Sequence, residues 1–221
     1  MKYTGLFTLL MVCSISAFAK QQDDLFVIKA GNMPLIEKAW QINTSGAKIT
    51  SYYSLNVNGR TFPGIRPFGL RWDMFKDLLD YTGKNILELG CCTALPSITL
   101  KKYREAGHVV AVDMADYRLL AAQLVAKAFE VSLDFRKLNL DNDNYEKQLG
   151  YDFDVVFCMS LLNWVKDKNR LMAYLSHFKN VIFEGHEHPT VEIARFARYG
   201  FNNYKLLGVS DLGRSVILFY R

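Results

Sequence analysis

Cysteine and proline are scarce in this sequence, which has 4 Cys and 5 Pro among 221 residues. Cys91 and Cys92 are adjacent, so their Cα atoms lie about 3.8 Å apart, which is shorter than the usual span of a disulfide. Cys13 lies in an N-terminal segment that we expect to be removed. Three cysteines then remain, Cys91, Cys92 and Cys158, and an odd number cannot all pair with one another. The sequence therefore argues against a disulfide framework and predicts a domain with reduced thiols.

A strong net charge is also absent. The 27 Lys and Arg residues oppose 22 Asp and Glu residues, for a formal net charge of +5, and they are scattered along the chain. This pattern does not indicate specific binding to nucleic acid. Half of the residues are hydrophobic and 14% are aromatic, which supports a large packed core and argues against disorder. The composition leaves the oligomeric state open.

The N-terminal segment "MKYTGLFTLLMVCSISAFAK" has the pattern of a secretory signal peptide. Lys2 precedes an apolar run, and Ala17-Phe18-Ala19 forms an A-x-A cleavage site. We therefore predict that residues 1–19 are removed and that the mature chain is exported, to the periplasm or beyond. A buried N-terminal helix or a membrane anchor is the alternative, and a cytoplasmic site of action stays open. No later segment is apolar over the roughly 20 residues that a membrane span needs.

Residues 20–83 are predicted to form an N-terminal extension with a hairpin and a helix. Asn58-Gly59 lies between β-branched and aromatic residues, which is a strong hairpin signal. The apolar spacing over residues 67–81 predicts a helix, with Gly83 placed to end it.

From residue 84 to residue 221, short apolar runs alternate with helical segments. This alternation predicts an α/β three-layer sandwich with a mostly parallel seven-stranded sheet. The last two strands are joined by only a short turn, so the last strand must be antiparallel to its partner. Thr190 is predicted to cap the helix before them, and Gly200 to end it.

In an open sheet of this kind, ligands bind at the carboxyl ends of the strands. That rule brings five separate segments to one edge of the sheet. They are 88–94, Asp113, 139–141, 160–164 and 184–188.

Gly90 and Asp113 have the spacing of a nucleotide-type site. Gly90 ends the first strand, where a missing side chain permits close approach of a ligand, and the next helix can present amides to an anionic group. Asp113 ends the second strand about 20 residues later, where an acid can accept bonds from ribose hydroxyls. The alternatives are a plain turn at Gly90 and a helix cap at Asp113 for the segment near Ala115.

These motifs resemble those of the class I S-adenosylmethionine-dependent methyltransferases over residues 84–221. "LELGCCTA" matches the glycine-rich turn at Glu88 and Gly90 but has Cys92 and Ala94 in place of glycine. "VVAVDMAD" places Asp113 at the ribose position, with Met114 beside it. "LNLDND" matches the adenine-contacting region through Asn139 or Asp141. "FDVVFCMSLLNWVKD" matches the motif of the fourth strand, which includes Ser160.

The resemblance implies S-adenosylmethionine as cofactor and transfer of its methyl group to an unidentified acceptor, expected to be a small molecule. It places Asn163 and Trp164 beside the methyl donor, although Trp164 could instead belong to the core. His186 is a further candidate for a catalytic group, and a merely polar loop is the alternative there. The His186–His188 spacing is not that of a HExxH zinc helix, and we predict no metal site.

Two other functions are alternatives to methyl transfer. A nicotinamide-dependent oxidoreductase needs G-x-G-x-x-G, and this chain has Cys92 and Leu95 at the second and third glycine positions. A methyltransferase-like protein that binds without turnover would fit the lost glycines and the predicted export away from a donor made in the cytosol. Because Cys92 and Ala94 are small, we expect the turn to have adapted, with negative φ at both residues and an intact pocket.

Overall fold

The computed structural model describes residues 26–47 and 51–221, so the predicted signal peptide, residues 1–19, lies outside the described residues. A single 3-10 turn, Ala30–Asn32, leads into helix α1, Met33–Ala47. Three short strands follow, β1 (Ser51–Val57), β2 (Arg60–Phe62) and β3 (Gly64–Pro67), and then helix α2 (Phe68–Phe75). β1 pairs antiparallel with β2 and parallel with β3. The β1–β2 turn is the Asn58-Gly59 pair, and both residues have positive φ, 51° and 72°.

Helix α2 is shorter than the 67–81 helix predicted from the sequence. It ends at Phe75, where the amide of Leu78 donates to the Phe75 carbonyl in a tighter turn. The buried Tyr81 hydroxyl donates to the same carbonyl across 2.8 Å. These bonds occupy the acceptor that the next helical turn would use, so the apolar spacing continues but the helix does not.

The remaining seven strands form one sheet. They are β4 (Ile86–Leu89), β5 (Val109–Asp113), β6 (Asp134–Lys137), β7 (Val155–Met159), β8 (Asn180–Glu184), β9 (Asn203–Val209) and β10 (Ser215–Tyr220). Their order is β6-β5-β4-β7-β8-β10-β9. β10 is antiparallel to both of its neighbours, and the other pairs are parallel. The predicted fold class, a mostly parallel seven-stranded sheet with an antiparallel last strand, is confirmed.

Helices cover both faces of this sheet. They are α3 (Leu95–Tyr103), α4 (Asp116–Ala128), α5 (Tyr145–Leu149), α6 (Lys168–Leu175) and α7 (Pro189–Ala197). The buried side chains of α3, α4 and residues 26–75 pack in one cluster on one face, and those of α5, α6 and α7 pack on the other. Phe26, Trp40 and Trp72 share the first cluster with Ile86 of β4. The N-terminal segment therefore packs on the same core as the large sheet.

The start of α7 corrects one prediction. The helix begins at Pro189, so Thr190 lies inside it, and His188 is the cap that accepts from the Thr190 amide through Nδ1. Proline is favoured at a first helical position, which moves the start of the helix one residue upstream of the predicted cap. Gly200, with φ of 85°, follows the end of the helix as expected.

Cys91, Cys92 and Cys158 are free thiols, and all three are buried. Burial raises the pKa of the Cys92 and Cys158 thiols to about 12 in each case. Over the residues that the structure describes, no helix combines the length and apolar character needed to cross a membrane.

Candidate active site

A cavity of about 380 Å³ opens at the carboxyl ends of β4, β5 and β7. Its volume falls in the range of small-molecule sites, about 300–1,000 Å³. Most of the residues predicted to bind a cofactor line it together with Trp164. They are Glu88, Gly90, Cys92, Asp113, Met114, Asn139, Asp141 and Ser160. Ala94, Asn163 and His186 do not line the cavity.

The turn from β4 into α3 has a left-handed backbone at every second residue. Gly90, Cys92 and Ala94 have φ of 69°, 52° and 52°. The expectation of negative φ at Cys92 and Ala94 is therefore wrong: the turn keeps the shape of a glycine turn and bears the cost of two Cβ atoms. At Gly90 a Cβ would also lie 2.9 Å from Cδ1 of Leu161, so any other residue there would force this side chain to shift.

Glu88 lies at the base of this turn and is 5% exposed. Its Oε2 accepts from the amide of Ser97 at 3.1 Å and from the Ser97 hydroxyl at 2.6 Å, which satisfies a free amide of the first turn of α3. Burial raises the pKa of the Glu88 carboxyl to about 8, against the lowering effect of the two Ser97 bonds. No cationic side chain in the described part of the chain forms an ion pair with it.

Asp113 is a cavity residue that also bonds to the backbone around it. Its Oδ1 accepts from the Ala115 amide at 3.0 Å, and its Oδ2 accepts from the Cys92 amide at 3.0 Å. Ala115 is the N-cap residue of α4 and no side chain caps that helix, so the alternative that Asp113 is a helix cap is wrong. Nη1 of Arg118, a cavity residue that the sequence did not indicate, lies 3.6 Å from Oδ2. The ribose-binding role of Asp113 stays a prediction.

Asn139 and Asp141 connect the loop after β6 to the segment after β7. The Asn139 side-chain oxygen accepts from the Asp141 amide at 2.9 Å, and Asp141 Oδ1 accepts from the Lys166 amide at 2.8 Å. Both side chains are thus held in place beside the cavity, while the second carboxyl oxygen of Asp141 remains available to a ligand. Contact of either residue with adenine stays a prediction.

The three candidates for a catalytic group lie in different surroundings. Trp164 is 78% exposed at the mouth of the cavity, so the alternative that it belongs to the core is wrong. Asn163 is exposed, and its side-chain oxygen accepts from Lys168 outside the cavity. His186 lies outside the cavity lining, and its Nδ1 is buried without a hydrogen-bond partner among the described residues. Burial lowers the pKa of His186, and the positive charge of Arg214 lowers it further.

Tyr52 and Tyr53 of β1 complete the cavity wall. Sequence reasoning used their segment only as hairpin strand, because nothing local indicated that β1 would reach the sheet edge. Arg66 lies with its guanidinium 5.7 Å from the Tyr52 ring centre, and Arg71 lies 5.6 Å from that of Tyr53. These cations hold the two rings from behind.

Both arginines are buried by a network around Glu184, which is itself fully buried. Glu184 accepts from Arg66 at 2.8 Å and from Arg71 at 2.9 and 3.1 Å. Asp211 pairs with Arg66 at 2.8 Å. Burial alone would raise the pKa of Glu184, but the bonds from Arg71 and its neighbours hold the pKa below its ordinary value. Arginine is usually exposed and is almost never fully buried unless it is paired. Because the sequence alone does not show which residues pair, it did not predict that Arg66 and Arg71 are buried.

Ser160 joins this network to the cavity. It lines the cavity with a left-handed backbone, at φ of 54°. Its hydroxyl donates to Glu184 Oε2 at 2.9 Å and accepts from Arg214 Nη1 at 3.2 Å. The cavity wall at Ser160 is therefore polar, and the charged groups of Glu184 and Arg214 lie directly behind it. Among residues 26–47 and 51–221, no group of three or more His, Cys, Asp or Glu side chains is arranged to hold a metal ion.

This chain is similar in sequence to known proteins over part of its length. The family model described as "Methyltransferase domain" matches residues 86–185. The ubiquinone biosynthesis O-methyltransferase of Hahella chejuensis (strain KCTC 2396) is 31% identical over 104 residues, which are 47% of this chain and 42% of that protein. This chain thus matches less than half the length of that relative.

Two solved structures share the fold at low identity. The N-terminal domain of EvdMO1 with SAH bound has a TM-score of 0.62 at 13% identity and covers 86% of this chain and 96% of its own. The bifunctional kinase-methyltransferase WbdD has a TM-score of 0.58 at 17% identity and covers 81% of this chain and 45% of its own.

Proposed function

We propose that this chain, which matches the methyltransferase family model over residues 86–185 and has the fold of class I S-adenosylmethionine-dependent methyltransferases, transfers a methyl group to a hydroxyl oxygen of a small-molecule acceptor. The observation that carries the proposal is the cavity at the carboxyl ends of β4, β5 and β7. It is lined on one side by the β4–α3 turn, which has three left-handed residues. The named activity of the O-methyltransferase relative supports oxygen as the acceptor atom.

The cavity fits the cofactor, S-adenosylmethionine. Glu88 is a buried carboxyl that lines the cavity without a cationic partner in the described chain, and the donor carries both a sulfonium and an ammonium group. Gly90 leaves space in the cavity beside the turn. A side chain there would contact Leu161, which also lines the cavity. We propose that Asp113 binds the ribose and that Asn139 or Asp141, with Met114, contacts the adenine.

The acceptor would enter on the side formed by Tyr52, Tyr53 and Trp164. These three aromatic side chains line the same cavity from β1 and from the turn after β7. Aromatic side chains contribute large contact area to bound ligands, which favours a planar or aromatic acceptor. Tyr53 is 3% exposed, whereas Trp164 lies almost free at the mouth, so the wall is rigid on one side and open on the other.

When bound, S-adenosylmethionine supplies a methyl group activated by its positive sulfur. The contribution of the chain is to hold the acceptor oxygen close to that group, and positioning of this kind provides much of the rate of a direct displacement. The left-handed turn fixes one side of the cavity. Ser160 and the β1 tyrosines, which the Glu184–Arg66 network connects, fix the other. The apolar residues Leu89, Val112 and Leu161 between them exclude water.

Calorimetric titration with S-adenosylmethionine and SAH, followed by transfer of a labelled methyl group to a fractionated small-molecule extract, tests the proposal. Gly90→Ala should weaken donor binding, since its Cβ would lie 2.9 Å from Cδ1 of Leu161, and Leu161, which lines the cavity, would have to shift. Gly150→Ala is the matched control: Gly150 has φ of 68°, but a Cβ there meets nothing within 4 Å. Equal losses in both variants would indicate general strain and not a donor site. Donor binding without transfer to any fraction would instead support the binding-only alternative.

A further inference from the structure

Behind Ser160 at the polar end of the cavity lies Arg214, which does not itself line the cavity and has no acidic partner among the described residues. Arg214 is half-buried and donates from Nη1 to the neutral hydroxyl of Ser160 at 3.2 Å. No carboxylate of the described residues lies within 4 Å of its guanidinium. A guanidinium offers five donors in a planar fork, so most of its hydrogen-bonding capacity remains free here.

The charges around Arg214 leave an excess of one positive charge. Arg66, Arg71 and Arg214 are cationic, and only Glu184 and Asp211 of this network are anionic, so three cations face two anions. The remaining acids nearby do not change this balance, because Glu192 is paired with Arg195 and Glu187 is exposed to solvent. A half-buried excess charge is costly unless a ligand or a counter-ion neutralises it.

His186 is a second unsatisfied group close to Arg214, and it also lies outside the cavity lining. Its Nδ1 is buried and has no hydrogen-bond partner among the described residues. Burial lowers the pKa of His186, and the positive charge of Arg214 lowers it further. A neutral imidazole can donate one hydrogen bond without adding charge. Arg214 therefore offers directed donors and a single net positive charge, next to a buried imidazole that has a hydrogen bond still to make.

We propose that Arg214 and His186, next to Ser160, form a subsite for a carboxylate of the methyl acceptor. The net charge selects a monoanion, because a phosphate dianion would leave the site negative. A carboxylate also matches the planar fork of arginine, which binds its two oxygens side by side. The inference rests on the proposed function, which makes this end of the cavity the acceptor side, and it narrows the acceptor to a small hydroxylated acid.

The donor is a second source of the same chemistry, since S-adenosylmethionine and SAH also carry a carboxylate. The test therefore uses separate probes. Benzoate and its neutral isostere benzamide are titrated by ligand-observed NMR into the full chain, with and without saturating SAH, and inorganic phosphate is titrated in parallel. The variants are Arg214→Gln, Arg214→Lys and, as a control with the same charge change on an exposed residue, Arg198→Gln. Melting temperatures verify that each variant folds.

The wild type and Arg198→Gln should bind benzoate about tenfold more tightly than benzamide, a difference of about 1.4 kcal/mol. Arg214→Gln should remove that preference, Arg214→Lys should restore part of it, and the affinity for SAH should change less than threefold. Equal binding of the two probes by the wild type, or tighter binding of phosphate than of benzoate, overturns the carboxylate subsite. A tenfold loss of SAH affinity in Arg214→Gln assigns the arginine to the donor and also overturns it. If SAH does not bind the wild type at all, the proposed function fails, while the titration without SAH still tests the subsite.

Discussion

Arg66 donates to Glu184 across 2.8 Å, although the two residues lie 118 positions apart in the chain. Arg66 belongs to β3 of the N-terminal segment, and Glu184 ends β8 of the large sheet. Both side chains are almost completely buried, at 1% and 0% exposure. This ion pair attaches the segment that carries Tyr52 and Tyr53 to the edge where the cavity opens.

Glu184→Gln should strongly destabilise the fold. The change leaves Arg66 and Arg71 with only Asp211 as an anionic partner, and breaking a buried pair of this kind costs about 3–5 kcal/mol. Urea unfolding measures the free energy, with Glu187→Gln as the control, because Glu187 is exposed three residues later. A loss below about 1 kcal/mol, the usual worth of a surface pair, would contradict the buried network.

Cys92→Gly should stabilise the protein slightly. Relief of a Cβ at positive φ gains about 1–2 kcal/mol, and the added freedom of glycine in the unfolded chain returns about 0.4–1 kcal/mol of it. Cys92→Val should lower stability, since a β-branched side chain tolerates this backbone least. Thermal melts compare the two. A destabilised Cys92→Gly would mean that the packing of the thiol stabilises the protein more than the backbone strain destabilises it.

The two residues in place of glycine should have little effect on the donor. Calorimetry should show that Cys92→Gly and Ala94→Gly each change donor affinity by less than tenfold, about 1.4 kcal/mol.

Asp113→Ala should lower both stability and donor affinity. It removes the acceptor of the Cys92 and Ala115 amides, and a buried amide left unsatisfied costs about 1–3 kcal/mol. It also removes a charged acceptor for ribose hydroxyls, worth about 1.5–3 kcal/mol. Asp116→Ala is the control, because Asp116 lies in the first turn of α4 and pairs with Lys137 on the surface. Chemical unfolding and calorimetry with SAH separate the effects. If stability falls and affinity does not, the role of Asp113 is structural alone.

Glu88 should make both stability and donor binding depend on pH. Its folded pKa of about 8 lies above its ordinary value of 4.5, so the folded state holds a proton that the unfolded state has lost. Between these values the folded state binds more protons, and stability falls as pH rises from 4.5 to about 8.

Donor binding should show the opposite trend, because a cationic donor favours the ionised Glu88. Affinity is expected to rise with pH, by up to about tenfold per unit below pH 8. Glu88→Gln keeps an acceptor for Ser97 but cannot ionise, so both pH dependences should flatten. Calorimetry with S-adenosylmethionine in two buffers of different ionisation enthalpy would also count the released proton. Identical pH profiles for wild type and Glu88→Gln would rule out this role.

Export predicts a mature N-terminus at Lys20. Intact-mass analysis of the protein from its native host should find the species that lacks residues 1–19. Replacement of Ala17 and Ala19 by Arg should block cleavage, since the site requires small side chains. A full-length species beginning at Met1 would contradict export and would remove the difficulty of supplying a cytosolic donor.

Local pattern predicted much of this molecule. Fully apolar runs such as Ile86–Leu89 and Val109–Asp113 indicated buried parallel strands, and the short link between the last two runs required an antiparallel strand. The rule that ligands bind at strand ends then placed Glu88, Gly90 and Asp113 at one edge. The backbone of the β4–α3 turn was mispredicted, because side-chain size does not reveal that a surrounding fold holds φ positive.

The sequence by itself therefore determined the sheet, its direction of strands and the edge where the cavity lies, because each follows from periodicity within short segments. Only the tertiary structure decided what forms the acceptor side. Tyr52, Arg66, Glu184 and Arg214 come from four separate elements, and no local pattern connects them. They meet because the N-terminal strands fold back onto the sheet. Burial then forces their charges to pair with one another, while no acidic residue in the described part of the chain pairs with Arg214.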